Sequence, residues 1–382
     1  MRVVEARPNV NRFLKLTSNE KTHLSVYLRA MKCDFLIIGQ GIAGTTLALE
    51  LISRGSEVLV IDVFDEHNSS RVAAGLFNAL VFKRITLGWR AKESLKEAHR
   101  FYAQQEEFTG VRLFYPIGLH RIHGSEAERK SWIEVSKEPE FVDMLEETKP
   151  AEEKPWLKQT FGGAHVPSAG FIDTRTWLSA VRRKFLEKSI LREETFDYDA
   201  LEFSPDGVIY KDIEARKIIF CEGVGAMKNP WFSDLPFNPA KGEVLVINAP
   251  ELKHEIFNGS IYGVPLGDGM FRVGSTYDWS TTDPNTTQEK RLYLEEKLRG
   301  ILQVPFTVVS HEAGVRPTVL DRRPLIGLHP RHQALGIFNG LGTKGVLMAP
   351  LQAKEFVSFL LDGASLSPEA SIQRFVKRLT RQ

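Results

Sequence analysis

A glycine-rich turn between two apolar runs is the feature that most constrains the fold of this chain. Residues 35–38 are continuously apolar, which is typical of a parallel strand buried on both faces. The turn Gly39-Gln-Gly-Ile-Ala-Gly44 follows, and from Thr45 the apolar residues recur along one face of a predicted helix. A second apolar run, 58–61, ends at Asp62. The pattern predicts a strand–helix–strand unit that opens on the motif GxGxxG.

Each glycine of this turn has a use in binding a dinucleotide. Gly39 permits the tight turn, Gly41 lets a pyrophosphate approach the backbone, and Gly44 lets the helix pack closely on the strand. The start of the helix, at Ile42 and Ala43, offers unpaired N–H groups to the phosphates. Asp62 can hold a ribose diol, and its charge disfavours the 2′-phosphate of NADP. The motif alone leaves FAD and NAD as alternatives.

The segment that follows Asp62 favours FAD. An NAD-binding domain would continue with further strand–helix units, whereas residues 65–75 form a loop of small and hydrogen-bonding residues. We expect phosphate or ribityl oxygens to be bound by Ser69, Ser70 and Arg71. Small residues such as Ala74 and Gly75 let the backbone lie against a flat ring system.

In this order, the motifs resemble the D-amino-acid-oxidase family of FAD-dependent amine oxidoreductases, which includes glycine oxidase and sarcosine oxidase. Three later segments are similar to the same family: 217–225, 313–327 with its Gly-x-Arg-Pro sequence, and the glycine loop 339–350. In the first of these, Cys221-Glu222-Gly223 departs from the Ala-Thr-Gly that is frequent in the family. The resemblance extends from about Met31 to the C-terminus.

The resemblance implies an α/β fold with two domains. One is a Rossmann-like FAD-binding domain of the glutathione-reductase type, which has three layers in the order β, β, α. Residues 31–111, 168–234 and 311–382 form this discontinuous domain. The other is an inserted α+β substrate domain on an antiparallel or mixed sheet, formed by 112–167 and 235–310. We expect residues 1–30 to be a disordered or accessory lead-in, or the result of an upstream start chosen in place of Met31.

The resemblance also implies a substrate site. Arg316 would fix a substrate carboxylate, because a guanidinium holds a carboxylate by two parallel hydrogen bonds. The alternative is a structural ion pair of Arg316 with Glu312 or Asp321. Tyr262 would bring its hydroxyl near the substrate, although a core or surface position is an equal alternative.

Further residues would contact the cofactor. Lys344 and Thr343, at a helix start, would stabilise the negative charge of the reduced flavin, although Lys344 also fits a plain surface lysine. Tyr277 and Trp279 are weaker candidates for an aromatic wall of the site. The remaining cofactor contacts are expected at Phe196, Gly223, Gly342 and Gly345, with Arg316 close to the cofactor as well.

Composition limits the other classes of function. The chain has 50 Lys and Arg against 48 Asp and Glu, which gives a net charge of +2. Nucleic-acid-binding proteins usually have a strong basic excess, so this charge argues against a nucleic-acid partner. We expect no membrane span, no metal site and a cytoplasmic location. The two cysteines, Cys33 and Cys221, lie on predicted strands of the cofactor domain, so we expect FAD to be bound without a covalent link.

The sequence therefore predicts an FAD-dependent oxidoreductase that oxidises the C–N bond of a small amine or amino acid by hydride transfer to flavin N5. Oxygen or a quinone would take the electrons. Three alternatives stay open: an NAD-linked Rossmann dehydrogenase, a non-catalytic flavoprotein, and a tRNA-modifying amine oxidoreductase of the same fold. The residues leave open the substrate, the choice between oxidase and dehydrogenase, and the oligomeric state.

Overall fold

The computed structural model describes residues 31–149 and 154–380, and the expectation for residues 1–30 concerns a segment outside these ranges. The helices are Ile42–Ser53 (α1), Ser69–Val72 (α2), Ala91–Thr109 (α3), Glu126–Val135 (α4), Thr174–Glu187 (α5), Gln288–Ile301 (α6), Gly345–Asp362 (α7) and Val376–Leu379 (α8). Where the chain is described, no helix is both long enough and apolar enough to cross a membrane.

The strands, in chain order, are Met31–Ile38 (β1), Val58–Ile61 (β2), Leu76–Phe77 (β3), Leu80–Val81 (β4), Thr86–Leu87 (β5), Phe114–Tyr115 (β6), Leu119–Ile122 (β7), Thr148–Lys149 (β8), Gly163–Val166 (β9), Gly170–Ile172 (β10), Leu191–Arg192 (β11), Leu201–Ser204 (β12), Gly207–Tyr210 (β13), Ile213–Phe220 (β14), Ala240–Asn248 (β15), Phe257–Asn258 (β16), Tyr262–Gly267 (β17), Met270–Gly274 (β18), Thr307–Arg316 (β19), Leu325–Leu328 (β20) and Leu335–Asn339 (β21).

The first large sheet is built around the predicted strand–helix–strand unit. Its strands follow the order β11-β2-β1-β14-β13-β12, with β21 paired to β14 and β20 paired to β21. β1 pairs in parallel with β2 and with β14, and both Leu36 and Ile37 have no solvent exposure, as expected of an apolar strand covered on both faces. α1 and α7 pack together against this sheet. The predicted Rossmann-like α/β domain is confirmed.

The glycines of the first turn are required by its geometry. Gly39 has φ +103°, a conformation that other residues rarely adopt. A Cβ atom on Gly44 would lie 1.8 Å from the carbonyl oxygen of Gly39, so only glycine lets α1 approach β1 this closely. Gly55, with φ +81°, follows the end of α1, where the sequence predicts a left-handed residue.

The second large sheet has the order β19-β15-β18-β17-β16-β7-β9-β8 and is mainly antiparallel. The sequence Gly267-Asp268-Gly269 is typical of a hairpin turn, and the hairpin is present as β17 and β18, with positive φ at all three residues. α6 covers part of the sheet with Leu294 and Leu298, which are completely buried. A small sheet, β3-β10-β6, is formed from segments on both sides of the predicted domain boundaries.

One predicted domain boundary needs correction. β19 pairs with β15 from Thr307, opposite Asn248, to Arg316, opposite Ala240. The strand therefore crosses the boundary predicted at residue 311 without interruption, and the chain leaves the second sheet only after Arg316. The Gly-x-Arg-Pro segment, assigned from sequence to the cofactor domain, lies on the substrate-domain sheet because backbone pairing with β15 places it there.

Candidate active site

A cavity of about 900 Å³ is lined by residues of both large sheets. Gly41, in the first glycine turn, and Gly342, in the last one, both line it. A Cβ atom on Gly345 would lie 3.9 Å from Cδ1 of Ile42, so the two turns are in direct contact range. Cofactor sites have volumes of roughly 300–1,000 Å³, and this cavity is in the upper part of that range.

The first turn is held against α2 at one end of the cavity. The N–H of Ile42 donates to Oγ of Ser70 (3.1 Å), and the N–H of Ser70 donates to Oδ1 of Asn68 (2.8 Å). Ser69 and Ser70 line the cavity together with Gly39, Ile42, Ala43, Ala74 and Gly75. β19 passes close to this region at Gly314, where a Cβ atom would lie 3.1 Å from Cα of Ser69. Small residues thus bring both sheets to one edge of the cavity.

Two predicted residues, Gly44 and Arg71, are not among the cavity-lining residues. Gly44 acts through the packing of α1 on Gly39, as predicted from its place in the motif. Nη1 of Arg71 donates to Oγ of Ser179 (2.9 Å), and the guanidinium lies 4.5 Å from the ring centre of Phe64. These contacts hold the loop after β2, and a contact of Arg71 with cofactor oxygens stays a prediction.

Asp62 lines the cavity with its carboxylate already paired. Oδ1 accepts the N–H of Gln40 (2.9 Å), and Oδ2 accepts Nη1 of Arg182 (2.7 Å). Burial raises the pKa of Asp62, and the hydrogen bonds from Gln40 and Arg182 offset part of this shift. Arg182 also binds Glu193 (2.7 Å). Arg182 is not predicted from the sequence, where its only signal is a basic residue on the buried face of a helix.

The unexpected Glu222 is satisfied within the protein. It accepts hydrogen bonds from the Tyr198 hydroxyl and from Nδ2 of Asn229 (2.9 Å). Burial raises the pKa of Glu222, and these two hydrogen bonds act in the opposite direction. Phe196 and Gly223 line the cavity beside this pair. The departure from the family's Ala-Thr-Gly therefore brings its own partners.

Arg316 lies in the cavity wall at the end of β19. Nη2 donates to Oγ of Ser275 (2.7 Å), and Nη1 lies 3.4 Å from the carbonyl oxygen of Thr276. Its guanidinium carbon is 4.6 Å from the ring centre of Tyr277. These contacts are all with uncharged groups, which leaves the cationic charge available to a ligand.

The alternative ion pairs of Arg316 are occupied by other arginines. Glu312 accepts Nη2 of Arg175 (2.6 Å), and Asp321 accepts Nε of Arg374 (2.9 Å). The structural reading of Arg316 that the sequence left open therefore does not hold in this form.

Gly242 makes room for the guanidinium. A Cβ atom on Gly242 would lie 2.0 Å from Nη2 of Arg316, so any other residue at this position in β15 would displace it. The sequence analysis missed Gly242 and Ser275. A lone glycine inside a strand pattern is the signal that could have identified Gly242, because such glycines often mark a close approach.

Tyr262 begins β17 and lines the same part of the cavity. Burial raises the pKa of its hydroxyl, and the nearby Arg316 guanidinium lowers it by a smaller amount. The hydroxyl therefore stays protonated near neutral pH and can donate a hydrogen bond.

Lys344 is the N-terminal cap residue of α7 and lines the cavity. Its Nζ donates to the carbonyl oxygen of Leu80 (3.0 Å) and lies 3.5 Å from that of Asn78. Burial lowers the pKa of Lys344 to about 8. Thr343, also in the cavity lining, is exposed. Lys344 is therefore not a plain surface lysine but a partly desolvated cation held by two carbonyl groups.

The fold and the cavity together define a dinucleotide-binding oxidoreductase with a separate substrate sheet. The chain matches the family model "FAD dependent oxidoreductase" (DAO) over residues 34–358, and it belongs to this family. It is accordingly an FAD-dependent oxidoreductase, and the NAD-linked alternative is set aside. The glycine cradle, the cavity and its cationic wall fit FAD in size and chemistry.

Two curated relatives and one solved structure illustrate the similarity. The chain is 25% identical over 354 residues to a glycine oxidase of Bacillus licheniformis, covering 86% of this chain and 93% of that protein. It is 26% identical over 366 residues to the tRNA 5-methylaminomethyl-2-thiouridine biosynthesis bifunctional protein MnmC of Caulobacter vibrioides, covering 90% of this chain and 58% of that protein. The crystal structure of glycine oxidase from Geobacillus kaustophilus shares the fold, with a TM-score of 0.76 and 20% identity over 92% of this chain and 99% of that one.

The relatives differ in length. The chain spans almost the whole of the Bacillus licheniformis glycine oxidase but only 45% to 58% of the length of several bifunctional relatives.

Proposed function

We propose that this protein oxidises the C–N bond of a small amine or amino acid that carries a carboxylate. The observation that carries the proposal is the position of Arg316, in the wall of the cavity lined by both glycine turns and surrounded by uncharged groups. FAD bound in this cavity would accept the hydride from the α-carbon. The imine formed from the amine would then hydrolyse in water.

The chain's own residues would fix the substrate for this step. The Arg316 guanidinium would bind the carboxylate, and its hydrogen bond to Ser275 and its place above Gly242 would hold it still. The Tyr262 hydroxyl would donate a second hydrogen bond. Such fixing of a reactant can supply a large part of a rate enhancement without any acid–base residue.

Lys344 would act on the cofactor side. Its ammonium group lies in the cavity wall beside the start of α7, where partial positive charge also accumulates. Both would favour the reduced, more negative form of the cofactor. Because burial lowers the pKa of Lys344 to about 8, this effect would weaken above that pH.

We also propose that oxygen or a quinone accepts the electrons and that the protein is located in the cytoplasm. FAD would be bound without a covalent link. Cys221 lines the cavity beside the first turn, where a Cβ atom on Gly39 would be 2.6 Å from its carbonyl oxygen, and burial raises the pKa of its thiol. A buried neutral thiol is a poor nucleophile.

A second candidate function is oxidation of an amine carried on tRNA. It is favoured by the similarity over 90% of this chain to the Caulobacter vibrioides protein named for that modification. The net charge of +2 provides little general attraction for phosphate backbones. Filter binding of tRNA over a range of salt concentrations distinguishes the two, since a tRNA substrate requires salt-dependent binding.

The proposal is tested by anaerobic mixing of the oxidised protein with glycine, sarcosine, proline and D-amino acids, with loss of the flavin absorbance as readout. At least one of these amines should bleach the wild-type protein. Arg316→Ala should keep its colour and lose most of the bleaching, while Arg112→Ala, a change at an exposed arginine paired with Glu106, should behave as wild type. If every carboxylated amine bleaches Arg316→Ala as it bleaches the wild type, Arg316 does not bind the substrate carboxylate. If no amine bleaches the wild-type protein, the result fits a non-catalytic flavoprotein.

A further inference from the structure

Two large exposed aromatic side chains, Tyr277 and Trp279, stack on each other beside the cavity. Tyr277 is 51% exposed and Trp279 is 57% exposed. Their rings stack with centres 5.7 Å apart and planes at 21°. Tyr277 lines the cavity directly. Exposed apolar surface of this kind is a mark of a binding site when it adjoins a pocket.

The backbone that carries this pair is fixed to β15. Lys241 and Asp278 exchange two backbone hydrogen bonds (2.8 and 2.9 Å). Thr276 donates its N–H to the carbonyl of Glu243 (3.2 Å), and its Oγ1 accepts the N–H of Glu243 (2.8 Å). The segment therefore continues the sheet beyond β18, and alternate side chains face the same side. Ser275 and Tyr277 are such alternates, and both line the cavity.

The far end of the same segment is also tied to β15. The buried carboxylate of Glu243 accepts the N–H of Thr287 (2.9 Å) and its hydroxyl (3.1 Å), at the start of α6. His311 on β19 has Nε2 at 2.8 Å from the same carboxylate. Glu243 thus holds both ends of residues 276–287, one end through its backbone and the other through its carboxylate. An aromatic surface held in place before binding loses less entropy when a ligand covers it.

The aromatic pair adjoins the carboxylate anchor. The Arg316 guanidinium carbon lies 4.6 Å from the ring centre of Tyr277, on which Trp279 stacks. A ligand whose carboxylate binds Arg316 therefore has the Tyr277 ring beside its next group, and the Trp279 ring follows in the same stack. A substrate as small as glycine would leave this surface uncovered.

We infer that the substrate carries a neutral flat ring, aromatic or heteroaromatic, that packs on Tyr277 and Trp279 while its carboxylate binds Arg316. The inference rests on the proposed function and narrows its substrate to a ring-bearing amino acid. Aromatic pairs gain affinity beyond their buried area, enough to improve binding by about fivefold over a saturated ring of similar size.

The test measures equilibrium binding of unreactive carboxylates to the FAD-loaded protein, through the change they cause in the flavin spectrum. Acetate, cyclohexylacetate and phenylacetate present the same anchor group with no ring, a saturated ring and a flat ring. The wild-type protein should bind phenylacetate about fivefold more tightly than cyclohexylacetate, and acetate most weakly.

Variants locate this preference. Trp279→Ala should reduce the ratio of the phenylacetate and cyclohexylacetate affinities to near one, and Trp279→Phe should restore most of it. Tyr293→Ala, a change at a 43% exposed tyrosine on α6 whose ring lies against Lys297, should keep the wild-type ratio. Trp279 is the first choice because removal of Tyr277 would also disturb Arg316.

The outcomes separate this inference from the proposed function. Equal affinity for the two ring compounds, or a preference that survives in Trp279→Ala, would overturn the flat-ring inference. Acetate binding that is lost in Arg316→Ala would leave the carboxylate anchor standing in either case. If none of the three carboxylates perturbs the flavin, or if Arg316→Ala binds them as wild type does, the anchor itself is wrong and the inference is overturned with it.

Discussion

The two ends of the cavity treat charge in opposite ways. At the end formed by the first sheet, two carboxylates are paired within the protein: Asp62 with Arg182, and Glu222 with Tyr198 and Asn229. At the end formed by the second sheet, Arg316 contacts a hydroxyl, carbonyl oxygens and a ring face. We propose that the first end is organised before any ligand binds, whereas an anionic ligand completes the second end.

The largest expected effect is at the first glycine turn. In Gly44→Ala the new methyl group would overlap the Gly39 carbonyl at 1.8 Å, so we expect a loss of about 3 kcal/mol or more of folding free energy and loss of bound FAD. Thermal unfolding and flavin content measure both. Gly300→Ala, inside α6 with no atom within 4 Å of the new methyl, should retain stability and colour. A yellow, stable Gly44→Ala protein would show that the turn tolerates a wider separation.

The next effect is at the substrate end and should spare the cofactor. Gly242→Ala places a methyl group 2.0 Å from Nη2 of Arg316, so the guanidinium must move. We expect KM for a carboxylated amine to rise by about tenfold or more, because a misplaced anchor weakens binding and orientation. The flavin content should match that of wild type. Loss of FAD together with activity would contradict the separation of the two ends.

A smaller effect is expected at Lys344, between the two ends. Lys344→Met should lower the flavin midpoint potential by on the order of 30 mV, because a cation near the reduced cofactor is removed. The pKa of Lys344 is lowered to about 8, so the lysine is charged below that pH and neutral above it. The difference between wild type and variant should therefore shrink as pH rises through 8. Redox titration with Lys344→Arg as control checks this, and an equal difference at pH 6 and pH 10 would contradict it.

The smallest expected effect concerns the link between FAD and the protein. Acid precipitation of the yellow protein should release all of the flavin into solution, because both cysteines are buried neutral thiols. Flavin that remains with the precipitate would show a covalent bond and contradict the prediction.

The first sheet could be predicted from local sequence, and the second only in part. Short-range signals in the sequence predict the strand 58–61, a helix N-cap at Asp173 and a turn at Asp206-Gly207, and the structure contains all three. Partners distant in the chain gave no such signal. Arg182 pairs with Asp62 across 120 positions, and Gly242 meets Arg316 only because β15 and β19 are neighbours. Likewise, the sequence gives no signal for the hydrogen bond of Arg71 to Ser179, which lies far from it in the chain.

The central claim, that both glycine turns hold one FAD, is tested most directly by a crystal structure of the yellow protein. The account predicts density for a single FAD, with its pyrophosphate at Gly41 and Ile42 and its flavin ring beside Gly342 to Gly345 and within reach of Arg316. A flavin bound away from the loop at Gly342, or a dinucleotide that leaves the cavity beside Arg316 empty, would contradict it.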